Sequence, residues 1–295
     1  HRTPVLSSQS INKIAGASLY FKCENFQKIG AFKMRGASSA AVRLSEAQRS
    51  KGLATHSSGN HAQAVALSAQ MLGVPAYIVM PENAPAIKRA ATKAYGAQIT
   101  FCENTLAARE STLEAVVEKT GATFIHPYND YNVIAGQATA AVELIDEVDE
   151  LDILLAPIGG GGLMSGTALS ARYFAPGTKV YGSEPQIVDD AYRSFKSGEL
   201  QYNTRIDTIA DGLRTNLGEK TFEIIQRELE DIFTVSEEAI VHAMRLIWER
   251  MKIIIEPSCA VPLAAVLDNK SVFANKQVGI ILTGGNVDLE KLPWV

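Results

Sequence analysis

Leu151-Asp152-Ile153-Leu154-Leu155-Ala156-Pro157-Ile158 runs directly into Gly159-Gly160-Gly161-Gly162, and a helical pattern follows over 163–174. The first eight residues read as a strand, apolar almost throughout, of the kind buried on both faces of a parallel sheet. A glycine-rich turn between such a strand and a helix lets main-chain N–H groups approach an anion closely. The start of the helix adds a favourable dipole. The spacing matches neither Gly-x-Gly-x-x-Gly nor Gly-x-x-x-x-Gly-Lys-Ser/Thr, so a phosphomonoester suits it better than a dinucleotide or a nucleoside triphosphate. Without a ligand the same residues would be a tight turn, obtained at a high cost in backbone entropy.

Working outward, the alternation of strand and helix repeats. Towards the N-terminus the strand patterns are 53–56, 74–79, 99–102 and 123–125. The helical patterns are 60–72, 85–95, 105–119 and 132–146, and Gly73, Gly96 and Gly121 stand where a left-handed cap closes a helix. Towards the C-terminus come strands at 180–182, 231–235 and 279–282, with helices at 188–196 and 237–251. The pattern predicts an α/β fold with open, mostly parallel sheets and helices on both faces. No Pro/Gly-rich linker divides the chain cleanly, so two domains would require one to be inserted in the other.

Composition narrows the function. The 295 residues carry a net charge of −4 with both signs spread along the chain, which argues against a nucleic-acid binder with a basic stripe. Apolar residues make up 46%, enough for a large core, but no run is long enough to cross a bilayer. Cys23, Cys102 and Cys259 are widely spaced and odd in number. They fit a reducing, cytoplasmic setting better than a disulfide framework.

Lys33 lies in Gly30-Ala31-Phe32-Lys33-Met34-Arg35-Gly36, among small residues and an aromatic. A lysine held in an apolar pocket has its pKa lowered, and the neutral amine attacks aldehydes. The local alternative is a solvated basic turn. Ser57-Ser58-Gly59-Asn60-His61 follows one strand and could bind a carboxylate through hydroxyls, an amide and helix-start N–H groups; an ordinary N-cap cluster reads the same way. Thr283-Gly284-Gly285-Asn286 ends the last strand and could set a hydroxyl against a ring nitrogen, or simply turn the chain. These segments share the carboxyl ends of presumed parallel strands, where ligands bind in open α/β sheets. An amine for an aldehyde and a loop for a phosphate together suggest pyridoxal 5′-phosphate.

With these motifs in this order and spacing, the chain resembles the serine racemase and serine/threonine dehydratase family of fold-type II pyridoxal-phosphate enzymes, which includes 3-hydroxyaspartate ammonia-lyases. The resemblance covers essentially the whole chain. It implies a tryptophan synthase β-like fold, with a small mobile domain of residues 52–129 set into a large one of 1–51 and 130–295. It implies that Lys33 is the covalent anchor, that Phe32 and Asn60 flank the cofactor ring, and that Gly159, Gly160, Gly161, Gly162 and Leu163 cradle its phosphate. Thr283 would face the pyridine nitrogen, and Glu256 would lie near the ring or only cap a helix. Ser58 would sit on the face opposite Lys33, so that two bases explain both racemisation and loss of a β-hydroxyl. Ser57, Ser58, Asn60, His61, Arg109 and Tyr128 would meet a small amino-acid substrate, and the enzyme would be a homodimer.

Glu184 and Asp190, with the carbonyl of Val188, suit a hard divalent cation, Mg²⁺ or else Ca²⁺ or Mn²⁺. From the acids alone, a helix N-terminus complemented by Asp189 and Asp190 is the simpler reading; the resemblance favours the cation. Arg109 alone reads as a solvated helix arginine beside Glu110. By resemblance it approaches a substrate carboxylate, which makes 3-hydroxyaspartate plausible. Tyr128 departs from animal serine racemases, which carry Asn there, and this weighs against a racemase specialised for serine. His61, His126 and His242 show no metal spacing. The chain ends soon after Thr283, with no room for the regulatory domain of biosynthetic threonine dehydratases. The leading expectation is an ammonia-lyase for a β-hydroxy amino acid. The alternatives are a non-catalytic sensor on the same scaffold and a β-replacement enzyme of the cysteine-synthase type.

Overall fold

The computed structural model describes residues 1–84 and 86–294. In chain order the strands are β1 (Val5–Leu6), β2 (Ser18–Cys23), β3 (Leu53–His56), β4 (Ala76–Pro81), β5 (Gln98–Cys102), β6 (Thr123–Phe124), β7 (Ile153–Pro157), β8 (Lys179–Pro185), β9 (Asp231–Val235) and β10 (Gln277–Leu282). They form two sheets. One has the order β1-β2-β10-β7-β8-β9 and the other β5-β4-β3-β6. Every pairing is parallel except β1 with β2. The α/β architecture with mostly parallel sheets is thus as expected.

The larger sheet is apolar on both faces. Along β7, Ile153 and Leu155 enter one core and Leu154 and Ala156 the other; along β10, Val278, Ile280 and Leu282 face away from Ile281. This period of two fixes the register, because a slip of one residue would exchange the faces. Each fully buried aliphatic side chain contributes about 2 kcal/mol.

The chain divides into two compact units, residues 1–32 with 137–295, and residues 33–136. The second unit is longer at both ends than the expected 52–129. Its first helix, Lys33–Arg43, packs on the helix Asn60–Leu72. Gly136 comes so close to that first helix that a Cβ there would lie 2.5 Å from Arg35 O. Neither contact has a local sequence signature, which is why the boundary was not legible.

Most elements lie within a few residues of their expected positions. The helix expected to begin at Pro85 runs Ala86–Ala94, and Pro85 itself lies outside the described residues. The reading missed β1, β2 and the helices Gln9–Ala15, Lys33–Arg43, Glu219–Glu228 and Pro257–Asp268. In β2 the obstacle was Lys22, a charge in a strand interior. Its Nζ is fully buried, 2.7 Å from Glu143 and 2.6 Å from Thr3 O. Among the described residues no helix is long and apolar enough to cross a membrane.

Breaking a buried pair by removing one member costs far more than replacing both members with apolar groups. Lys22→Met is expected to lower stability by about 3 kcal/mol in chemical denaturation. Lys22→Met combined with Glu143→Leu should recover most of that loss. A single variant within about 1 kcal/mol of the parent would contradict this.

Candidate active site

In the first unit β7 lies between β10 and β8, all parallel, so the turns that follow these strands leave the sheet at one edge. The turn after β7 is the tetraglycine, and it opens the helix Gly162–Phe174. Residues 159–163 are all buried. Their consecutive main-chain N–H groups donate to no acceptor among the described residues. Gly161 holds φ at +85°, and a Cβ there would come within 2.8 Å of Thr221 Oγ1 and Leu217 Cδ2. Thr221 Oγ1 donates to Gly160 O at 2.8 Å, bracing the turn from behind. Gly159 is backed by Gly212, whose N–H donates to Ser258 Oγ.

The turn after β10 begins at Thr283. Its carbonyl accepts the N–H of Phe32 at 3.0 Å, and Ala31 bridges to Gly284. Thr283 Oγ1 is buried without a hydrogen-bond partner among the described residues. The Cys259 thiol interacts with it electrostatically but is not at hydrogen-bond geometry; burial pushes that thiol well above its ordinary pKa. Glu256 is the buried N-cap residue of Pro257–Asp268, yet its side chain does not cap that helix. Its Oε2 accepts the N–H of Asn286, and Asn286 Nδ2 donates to Ile29 O at 2.7 Å. Ile29 has φ +60°, a strained value for a β-branched residue, and this brace holds it three residues before Phe32.

Lys33 follows Phe32 and opens the second unit. Its Nζ donates to Pro127 O at 2.8 Å. In that unit β3 lies between β4 and β6, so the Ser57–His61 turn and the 125–130 segment leave one edge. Ser57 Oγ accepts the N–H of Gly59, and the half-buried Ser58 hydroxyl has no partner among the described residues. Asn60 begins the helix Asn60–Leu72 behind Gly59, an N-cap that offers no side chain. His61 is buried, and desolvation first, then the charge of Lys33, pulls its pKa down to about 3. It is therefore neutral. Its Nε2–H donates to Ile125 O at 2.9 Å, while Nδ1 is buried without a partner among the described residues. Tyr128 stands edge-on to His126 at 4.8 Å.

Arg109 makes no ion pair with Glu110 among the described residues. Only its Nε is engaged, with Thr105 O of its own helix. Arg109 is half-buried as a residue, and after desolvation its charge is what lowers the pKa of His56, the last residue of β3.

Glu184 and Asp190 are both buried. Glu184 accepts N–H groups from Ala191 and Tyr192, in the first turn of Asp190–Ser197. Asp190 accepts Asn203 Nδ2 and the N–H of Leu217. Burial, then repulsion from Asp190, raises Glu184 well above the usual carboxylate range, and burial raises Asp190 to about 6. Val188 O accepts no hydrogen bond from a described residue. No group of three or more His, Cys, Asp and Glu gathers at metal-binding distance among the described residues.

Residues 1–284 match the sequence model of the pyridoxal-phosphate dependent enzyme family. The chain belongs to that family. It is 50% identical to a beta-hydroxyaspartate dehydratase of Paracoccus denitrificans, over 99% of this chain and 93% of that protein. It is 49% identical to an L-threo-3-hydroxyaspartate ammonia-lyase of Saccharomyces cerevisiae, over 99% and 90%. A crystal structure of serine racemase from Dictyostelium discoideum superposes with a TM-score of 0.94 at 50% identity, covering 98% of this chain and 94% of that one. The chain is accordingly a fold-type II enzyme, not a non-catalytic sensor.

The first unit fits the family's cofactor on its own evidence. A run of buried, unsatisfied N–H donors at a helix start is the environment a phosphate needs. A buried hydroxyl without a partner can satisfy a ring nitrogen. Sequence reasoning missed Thr221 and the contact of the Pro127 carbonyl with Lys33, since both ties link residues distant in sequence. Asn286 was visible in its motif, but its reach to Ile29 was not.

Gly161→Ala places a Cβ against Thr221 in a backbone region that L-residues avoid. Cofactor affinity, read from visible absorbance in a titration of the cofactor-free protein, is expected to fall by about tenfold or more. Unchanged affinity would show that the turn does not depend on that geometry.

Proposed function

We propose that this enzyme eliminates water from a β-hydroxy amino acid with a second carboxylate, a 3-hydroxyaspartate, releasing a keto acid and ammonia. The observation that carries this reading is the placement of Arg109, a half-buried residue. Its charge reaches the end of β3, and among the described residues only its Nε is engaged. A second carboxylate on the substrate would complete it with charge-assisted hydrogen bonds. The hydroxyaspartate activities named for the Paracoccus and Saccharomyces relatives support the same choice.

When bound, pyridoxal phosphate supplies an electron sink for negative charge at the substrate α-carbon. In this reading Gly159 to Leu163 take its phosphate and Lys33 holds its aldehyde. The Thr283 hydroxyl would hold the pyridine nitrogen, Phe32 and Asn60 would flank the ring, and Glu256 would lie near it. Ser57, Ser58, Asn60 and His61 receive the substrate α-carboxylate, and Tyr128 borders it. Lys33 removes the α-proton from one face. Lys33 would return that proton to the departing β-hydroxyl, which leaves as water, and the enamine product would take up water to release the keto acid and ammonia. Serine dehydration with racemisation is a second reading, favoured by the unpartnered Ser58 hydroxyl, which can return a proton on the other face. The reading also includes a homodimer, supported by family resemblance. It includes a cytoplasmic setting, with which the free cysteines are compatible.

Keto acid and ammonia release, measured across L- and D-serine, L-threonine and the 3-hydroxyaspartate stereoisomers, tests the choice of substrate. One hydroxyaspartate isomer should have the highest kcat/KM. Arg109→Ala should lower it by about tenfold or more while changing serine turnover by less than about threefold. A parent enzyme that prefers serine, or equal losses on both substrates, would contradict the proposal.

A divalent cation, Mg²⁺ or else Ca²⁺ or Mn²⁺, is proposed at Glu184, Asp190 and the Val188 carbonyl. Two buried carboxylates and an unused carbonyl are a hard donor set that lacks positive charge. Without the cation these acids have folded pKa values raised above their unfolded ones. Their contribution to stability is full at low pH and is lost as pH rises through about 6 for Asp190. The rise in melting temperature on adding magnesium to chelated protein should therefore grow across that range. It should disappear in Glu184→Gln. A pH-independent increment, or none in the parent, would remove the site.

A further inference from the structure

Pro127 has no main-chain N–H, so its backbone offers only a carbonyl, and that carbonyl accepts Lys33 Nζ. The segment that presents it is held at three points within the second unit. At its entry, Ile125 N–H donates to Ala54 O, and Ile125 O accepts both Thr55 Oγ1 at 3.0 Å and His61 Nε2 at 2.9 Å. At its exit, Asp130 Oδ1 accepts the N–H groups of Asn132 and Val133 and starts the next helix. At its centre, His126 Nδ1 accepts the N–H of Tyr128 at 3.2 Å and of Asn129 at 2.9 Å. The two accepted bonds close a turn around Pro127. They also require Nδ1 to be unprotonated, which fixes the tautomer.

We infer that His126 is a positioning residue: by closing the 126–129 turn it aims the Pro127 carbonyl at Lys33 and so fixes the amine whenever it is not bonded to the cofactor. This rests on the reading of Lys33 as the cofactor's anchor. A carbonyl suits the task because it takes no proton. Both the ammonium and the neutral amine keep an N–H to give it, so the nitrogen stays in place through a change of charge. In the neutral amine one N–H is committed to Pro127 and the lone pair is left for proton abstraction.

The test compares His126→Phe, which keeps a ring but no acceptor, with His126→Asn, whose Oδ1 can replace Nδ1 in the same turn. In cofactor-free protein, the rate of reductive methylation of Lys33 by formaldehyde and cyanoborohydride is followed by peptide mass. His126→Phe should change that rate by about threefold or more. In the loaded enzyme it should lower kcat by about tenfold with little change in KM. His126→Asn should recover most of both losses. Parent-like labelling in His126→Phe, or equal losses in the two variants, would overturn the inference. If His126→Phe does not fold, a crystal structure of the cofactor-free parent decides, and Lys33 Nζ away from Pro127 O overturns it. Borohydride reduction of the loaded parent, with mapping of the labelled peptide, keeps the two readings apart. A label on another lysine sinks the anchor, whereas a label on Lys33 with unresponsive variants sinks only the role of His126.

Discussion

The site depends on a run of main-chain N–H groups at residues 159–163 that are buried and donate to no acceptor among the described residues. Buried backbone donors are almost always paired, so a consecutive set of orphans has to be completed by something that is not protein. Everything nearby keeps the set open. β7 is locked between β10 and β8, Thr221 braces Gly160, and Leu217 and Gly212 fill the space behind Gly161 and Gly159. The helix that starts at Gly162 adds its dipole in the same direction. An anion with several oxygens is the natural complement, and a phosphate meets that description.

The segment that leads to Lys33 is organised by a different constraint. The chain enters Lys33 through a strained residue, Ile29, and a tie between Phe32 and Thr283. Such strain persists only where the surroundings over-determine it, and Asn286 and Glu256 do so here. In the second unit His61 works as an uncharged hydrogen-bonding part. Burial keeps His61 neutral, so it can secure a carbonyl without adding a charge beside Lys33. Glu184 and Asp190 show the opposite economy of charge: two carboxylates are buried together, and helix N–H groups, an amide and a main-chain N–H donate to them.

Much of this was legible before any coordinates. Buried strands read as apolar runs, helices closed on glycine, and the turns bearing Ser57–His61, the tetraglycine and Thr283 stood where parallel strands end, while Lys33 was marked by its small and aromatic neighbours. These features are local, and local sequence carries them. Long-range closures were not legible. Thr221 reaches Gly160 across some sixty positions, Asn286 reaches Ile29 from the other end of the chain, and Gly136 meets Gly36 backbone to backbone. β2 was hidden by Lys22, whose charge makes sense only beside Glu143. Glu256 looked like a helix cap and instead holds the turn after β10.

The central claim is that one small phosphorylated aldehyde is gripped by the amides of residues 159–163 and tethered at residue 33. A crystal structure of the enzyme purified with its cofactor tests it most directly. The phosphate oxygens should accept hydrogen bonds from the N–H groups of Gly159 to Leu163, with continuous density from the ring to Lys33 Nζ. A phosphate held elsewhere, or a ring joined to a different lysine, would contradict the account.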